Sequence, residues 1–166
     1  MNLLDIINGS TVFVDANVLI YARTGQSLQC KELVARCMAG AVTGVISEFV
    51  VAEFCHRRMM QEAQSSGWAS SNPARALSQH PEMVRRMSVY GDDVRGLLNG
   101  ELQWNPTTAP DFAVALELQK QHGLLTNDSL LLAVARRLGI AEIATADSHF
   151  DNIQGLIVYK PEDLII

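Results

Sequence analysis

Residues Thr11 to Val14 form an unbroken β-branched and aromatic run that ends on Asp15, and this stretch constrains the chain more than any other. A run that is apolar on both faces predicts a strand covered on both sides, as parallel strands are. Asp15 then stands at its carboxyl end, the edge at which open α/β sheets bind ligands. Taken alone, Asp15 has a plainer role as the N-cap of the following helix, accepting hydrogen bonds from its first free N–H groups. The other acids decide between these roles.

Strand and helix patterns alternate along the rest of the chain. A short helix spans Val18 to Ala22 and is interrupted at Gly25. Cys30, Leu33, Val34, Cys37 and Met38 recur at the spacing of an amphipathic helix that Gly40 stops. Thr43 to Ser47 reads as a second strand, with Ser47 capping a helix from Glu48 to about Gln61. Ser65 to Asn72 reads as a loop. Asn72-Pro73 and His80-Pro81 open two short helices with Pro at the first position, the second turning Met83, Val84, Met87 and Tyr90 toward the core. Gly91, Gly96 and Gly100 then loosen the pattern. Pro110 to His122 predicts a helix with Phe112, Ala115, Leu116 and Gln119 along one side. Thr126 or Asn127 caps the next, Asp128 to Leu138, ahead of a strand at Ile140–Thr145, a turn at Asp147–Phe150 and a last strand at Leu156–Tyr159.

This alternation predicts a three-layer α/β domain with a short, mainly parallel central sheet and helices on both faces. With 166 residues, 48% of them hydrophobic, the expectation is one domain over 1–166 with a helical insertion at about 65–105. Met1 to Ile7 lacks the basic start and apolar length of a secretory signal, and no apolar run approaches the roughly 20 residues that span a bilayer. A cytoplasmic protein without a membrane segment is expected. Cys30, Cys37 and Cys55 lack paired Cys-x-x-Cys spacing and read as reduced core residues. His56, His80, His122 and His149 are scattered and form no ligand pair.

On this framework the acids converge. Asp15 ends the first strand, Asp147 follows the strand at 140–145, Asp128 opens a helix, and strand ends and helix starts share one edge of a parallel sheet. Glu53 is the one acid on a helix face otherwise populated by Phe49, Val50 and Phe54. Two unit charges about 4 Å apart at an effective dielectric of about 20 repel by about 4 kcal/mol, so such a cluster needs compensation. No lysine in these segments supplies it, and Arg57 reaches only Glu53. A hard divalent cation, Mg²⁺ or Mn²⁺, fits an all-oxygen ligand set. The formal charge of −5 argues against nucleic acid at first sight. Setting aside Asp15, Glu53, Asp128, Asp147 and Asp151 leaves the remainder neutral, with arginine pairs at Arg57-Arg58, Arg85-Arg86 and Arg136-Arg137.

The chain resembles the PIN-domain nucleases, most closely the VapC-type toxins of prokaryotic toxin–antitoxin systems. The resemblance rests on Val14-Asp15-Ala16-Asn17-Val18-Leu19-Ile20, on Ser47 through Glu53, on Asn127-Asp128 with the Ala-rich helix after it, and on Ala144-Thr145-Ala146-Asp147-Ser148-His149-Phe150, in that order. It implies endonucleolytic hydrolysis of RNA with Asp15, Glu53, Asp128 and Asp147 holding Mg²⁺ or Mn²⁺, and with Asp151 where some members carry an additional acid. Asn17 and Thr145 match polar residues that orient the acids. Arg57 is a candidate contact to substrate phosphate, against the plainer reading of a solvated arginine. The resemblance further implies a homodimer and a small antitoxin protein as partner.

Two departures stand beside it. The 65–105 segment is longer than its counterpart in small toxins of this type, and the chain lacks a strongly basic groove. Other readings keep parts of the pattern: a non-toxin PIN protein that only binds RNA or protein, or a DNA-directed structure-specific nuclease. A haloacid-dehalogenase-type phosphatase needs a second Asp two residues after the first, where this chain has Asn17.

Overall fold

Strand β1 (Thr11–Val14) runs through the middle of the molecule with Val12, Phe13 and Val14 buried on both faces, as an uninterrupted apolar run requires. The computed structural model describes residues 1–68 and 71–165. Among the described residues the strands make one parallel sheet in the order β3-β2-β1-β4-β5, with β2 at Thr43–Ile46, β3 at Gln103–Trp104, β4 at Glu142–Ala144 and β5 at Ile157–Tyr159. Phe13 pairs in register with Val45 on one side and Ile143 on the other, which centres the core on the first strand.

Helices α1 (Ala16–Thr24) and α2 (Leu28–Met38) follow β1, and Gly25 ends the first in the left-handed conformation that glycine adopts without cost. Helix α2 turns Cys30, Leu33 and Cys37 inward, as its spacing predicts. It packs so closely on β2 that a Cβ at Gly44 would come within 2.8 Å of the Cys37 sulfur. Cys55 departs from the reading of three core thiols, since it is only half-buried.

Helix α3 (Glu48–Ser65) is a turn longer than its apolar pattern suggests. The loop expected at 65–72 is described only in part, because residues 69 and 70 lie outside the described residues. Two short helices follow as predicted, α4 (Pro73–Gln79) and α5 (Pro81–Arg86). The second leaves Met83, Val84, Met87 and Tyr90 half-buried rather than in the core.

The region around Gly91 and Gly96 is an ordered helix, α6 (Val89–Leu98). Tertiary contacts override the glycine propensity here. The Glu62 carboxylate accepts the backbone N–H groups of Ser88, Val89 and Tyr90 at 2.8 to 3.2 Å, capping α6 from another helix. Buried Asp93 on α6 pairs with Arg58 at 2.7 Å and with Arg23. Strand β3, which the sequence pattern hides inside the helical segment, is a two-residue edge continued by the Asn105 N–H on the Ile46 carbonyl.

Helices α7 (Ala109–His122) and α8 (Thr126–Leu138) pack against each other. The buried side of α7 is not the predicted one. Asp111, Ala115 and Leu118 face inward, whereas Phe112 and Leu116 are 51% and 58% exposed. The buried Asp111 carboxylate sets that rotation, accepting from the exposed Arg137 of α8 at 2.9 Å and from the Thr108 N–H and hydroxyl. Burial disfavours its charge, yet the bonds from Arg137 and Thr108 hold the carboxyl below its ordinary value.

Candidate active site

The carboxyl ends of β1 and β4 bring Asp15 and Asp147 to one edge, linked through Thr145. Asp15 caps α1 and is half-buried, with one carboxylate oxygen accepting the Ala16 N–H at 2.6 Å. The other accepts both the Asn17 amide and the Thr145 hydroxyl at 2.6 Å. The capping role and the cluster role therefore coexist. Thr145, fully buried just beyond β4, also accepts the Asp147 N–H at 3.0 Å, and the Asn17 carbonyl oxygen accepts the Ala146 N–H at 2.9 Å. One hydroxyl and one amide thus fix two acids from opposite ends of the chain.

Asp128 lies in the first turn of α8, whose N-cap is Leu125 rather than Thr126 or Asn127. The Asn127 side chain instead crosses to α3, donating to Glu53 at 2.7 Å. Ser47 departs in the same way: it precedes α3 as the N-cap residue, but its hydroxyl donates to the Asn105 carbonyl at 2.6 Å. Glu53 also lies 3.6 Å from Arg57, the pairing that the sequence suggests. Asp147 begins a single 3-10 turn, Ser148–Phe150, and its carboxylate accepts the His149 N–H at 2.9 Å.

The electrostatics report crowding. Burial pushes the Asp15 carboxyl up to about 6, with Glu53 and Asp128 adding to the rise against the bonds from Thr145 and Ala16. Asp128 is raised as well, by burial first and then by the charges of Asp147 and Glu53, while His149 opposes the shift. These acids repel one another without a lysine among them, and oxygen ligands in that state suit a hard divalent cation. Asp128, Asp147 and His149 form the tight part of the cluster, with one ligand atom from each lying within 4.8 Å of the others.

Asp151 is not brought to this group. It binds Lys160 at 2.6 Å and lines a separate depression with Met1 and Ile157. Lys160 therefore supplies the compensation that the sequence reading found nowhere among these acids. His149 and Asn127 are the site neighbours that reading missed. The signal for His149 was its place two residues after Asp147, where one tight turn holds both side chains on the same side.

Two open depressions flank the acids. One, of about 600 Å³, is lined by Glu53, His56, Arg57, Asn127, Asp128 and Asp147. The other, of about 310 Å³, is lined by Asn17, Tyr21, Arg57 and Asp147. Arg57 and Asp147 border both. A more enclosed cavity of about 320 Å³ between α1, α2, α3 and α6 is mainly apolar and none of these acids lines it.

In a parallel α/β domain, acids at the carboxyl edge of the sheet stand where such sheets bind their ligands. The PIN domain profile matches residues 12–156, and the chain belongs to that family of nucleases. Comparison with curated protein sequences finds no match. Solved structures share the fold at low identity. VapBC2 from Rickettsia felis, bound to a promoter DNA fragment, aligns with a TM-score of 0.55 at 18% identity over 92% of this chain and 99% of that one. A sarcin–ricin loop cleaving toxin from Mycobacterium tuberculosis aligns with a TM-score of 0.56 at 18% identity over 84% of this chain and 92% of its own. A toxin–antitoxin complex from Klebsiella pneumoniae gives 0.55 at 16% identity over 88% and 95%. No helix among the described residues is long and apolar enough to cross a membrane.

Proposed function

We propose that the protein is an Mg²⁺- or Mn²⁺-dependent endoribonuclease, the toxin of a toxin–antitoxin pair, hydrolysing phosphodiester bonds in RNA. The observation that supports this reading is mutual crowding, since after burial Glu53 and Asp128 raise the Asp15 carboxyl and Asp147 and Glu53 raise that of Asp128. In this reading Asp15, Asp128 and Asp147 hold the ion and Glu53 acts through water. The bound ion would lower the pKa of a water molecule and offset charge on the scissile phosphate.

The chain's own residues do the rest. Thr145 and Asn17 hold the Asp15 carboxylate with its oxygens fixed, and Thr145 fixes the turn that carries Asp147. Asn127 holds Glu53 beside the N-terminus of α8. Arg57, with its side chain 46% exposed between the two depressions, would meet a phosphate flanking the scissile bond. RNA as substrate is supported by the family and by the fold shared with the sarcin–ricin loop cleaving toxin of M. tuberculosis.

A small antitoxin is proposed as partner because two neighbours of the same fold are toxin–antitoxin complexes, and a homodimer is proposed with it. The domain is taken as one unit over 1–166, with 65–105 as an insertion that shapes partner or substrate contacts. Purified protein should cleave RNA but not duplex DNA in Mg²⁺ or Mn²⁺, and EDTA should stop it. Asp128→Asn and Asp147→Asn should lower the rate at least about a hundredfold while the far-ultraviolet circular dichroism is unchanged. Cleavage that survives EDTA and both substitutions would remove the metal-dependent reading of this site.

A further inference from the structure

We propose that His149 supplies a nitrogen ligand to the metal site and makes it select Mn²⁺ over Mg²⁺. The inference rests on the metal-site reading above and goes beyond the carboxylates that reading uses. The His149 ring nitrogen Nδ1 stands 3.1 Å from an Asp147 carboxylate oxygen and 3.3 Å from an Asp128 carboxylate oxygen. Two ligands at right angles on an ion with bonds of about 2.1 Å are separated by about 3.0 Å. Both nitrogen–oxygen separations therefore already have nearly the spacing of neighbouring ligands on one ion, and one ligand atom from each of the three residues lies within 4.8 Å of the others.

The local structure aims the ring. Asp147 and His149 sit at the start and second residue of one 3-10 turn, and the Asp147 carboxylate accepts the His149 backbone N–H. This bond joins the loop carrying the imidazole to the carboxylate beside it. Thr145 fixes that carboxylate's own backbone. Asp128 arrives from α8 and closes the third corner. The ring is half exposed, so an ion and its remaining waters have access without any rearrangement of the core.

Chemistry gives the selectivity. Mg²⁺ takes oxygen ligands and keeps its waters, whereas imidazole suits first-row transition ions, for which affinity rises from Mn²⁺ onward. One nitrogen beside two carboxylates retains the oxygen set that Mn²⁺ accepts and adds a ligand that Mg²⁺ gains little from. His56 lines the neighbouring depression but is not a member of the three-residue cluster.

The test uses Mn²⁺ alone on the full chain, with binding followed by electron paramagnetic resonance and nitrogen coupling by electron spin echo envelope modulation. The wild type should bind Mn²⁺ at least about tenfold more tightly than Mg²⁺, with histidine nitrogen modulation on the bound ion. His149→Ala should abolish the modulation and most of the preference while changing Mg²⁺ affinity less than about threefold. His56→Ala should leave all three readings as in the wild type. Bound Mn²⁺ without nitrogen modulation, or modulation that persists in His149→Ala, overturns the inference and leaves the carboxylate site intact. Failure of the wild type to bind Mn²⁺ at all overturns the metal-site reading together with it.

Discussion

Asp15→Asn should make the metal-free protein more stable and the metal-loaded protein less so. Burial, with smaller additions from Glu53 and Asp128, raises the Asp15 carboxyl from 3.8 to about 6 in the folded state. At about 1.4 kcal/mol for each tenfold change in proton affinity, the ionised side chain is disfavoured by about 3 kcal/mol. Between pH 3.8 and about 6 the folded protein keeps a proton that the unfolded chain has released. Stability therefore falls as pH rises through that window and stays low above it, while below it the penalty vanishes.

Asn removes the charge and keeps one oxygen, which can still accept the Ala16 N–H. It loses one acceptor position now used by the Asn17 amide and the Thr145 hydroxyl. That loss costs about 1 to 2 kcal/mol and leaves a net gain of about 1 to 2 kcal/mol at pH 8 without metal. In a domain of this size the gain corresponds to a rise of roughly 5 °C in Tm. Urea unfolding in EDTA from pH 4 to 8 should show a wild-type stability that declines across the window and a flatter profile for the variant. Millimolar Mn²⁺ should stabilise the wild type and leave the variant behind it. Equal pH profiles, or a variant less stable than the wild type at pH 8 in EDTA, would refute the claim that the Asp15 environment opposes its charge.

Other substitutions probe the supports. Thr145→Val removes the hydroxyl shared by Asp15 and the Asp147 N–H; metal affinity measured by calorimetry should fall about 10- to 100-fold. Glu62→Ala should cost about 2 to 4 kcal/mol by urea unfolding, with amide exchange accelerated first over Ser88–Leu98, because three N–H groups lose their acceptor. Burial works against the Glu62 charge, yet the N–H groups of Tyr90, Ser88 and Val89 hold its carboxyl below 4.5, so this support fades as pH falls through the folded-state value. Asp93→Ala strands Arg58, whose side chain is only 12% exposed, and should cost about 3 to 5 kcal/mol. Adding Arg58→Met to Asp93→Ala should recover much of that loss, and a double variant as unstable as the single would contradict the ion-pair account.

The parts of the fold that periodicity encodes were readable from the chain. The apolar run at 11–14, the apolar stripe of α2 and the proline-led starts of α4 and α5 are local patterns whose geometry follows from backbone sterics and burial. That Asp15, Asp128 and Asp147 approach one edge follows from a related rule, because strand ends and helix starts of a parallel sheet share an edge. Helix α6 was not readable. Its glycines lower the local propensity, and what orders it is a carboxylate from α3 and an arginine pair on Asp93.

Residue types and their spacing along the chain thus determined most of the strands and helices, α6 and β3 excepted, and which acids stand at strand ends and helix starts. Packing alone decided which face of α7 is buried, that Lys160 takes Asp151 away from the cluster, and that His149 and Asn127 join it. Regular backbone repeats along a segment, so its pattern is written in neighbours. A contact between distant side chains depends on helix rotation and on competition for charged partners, and those are settled only when the whole core has closed.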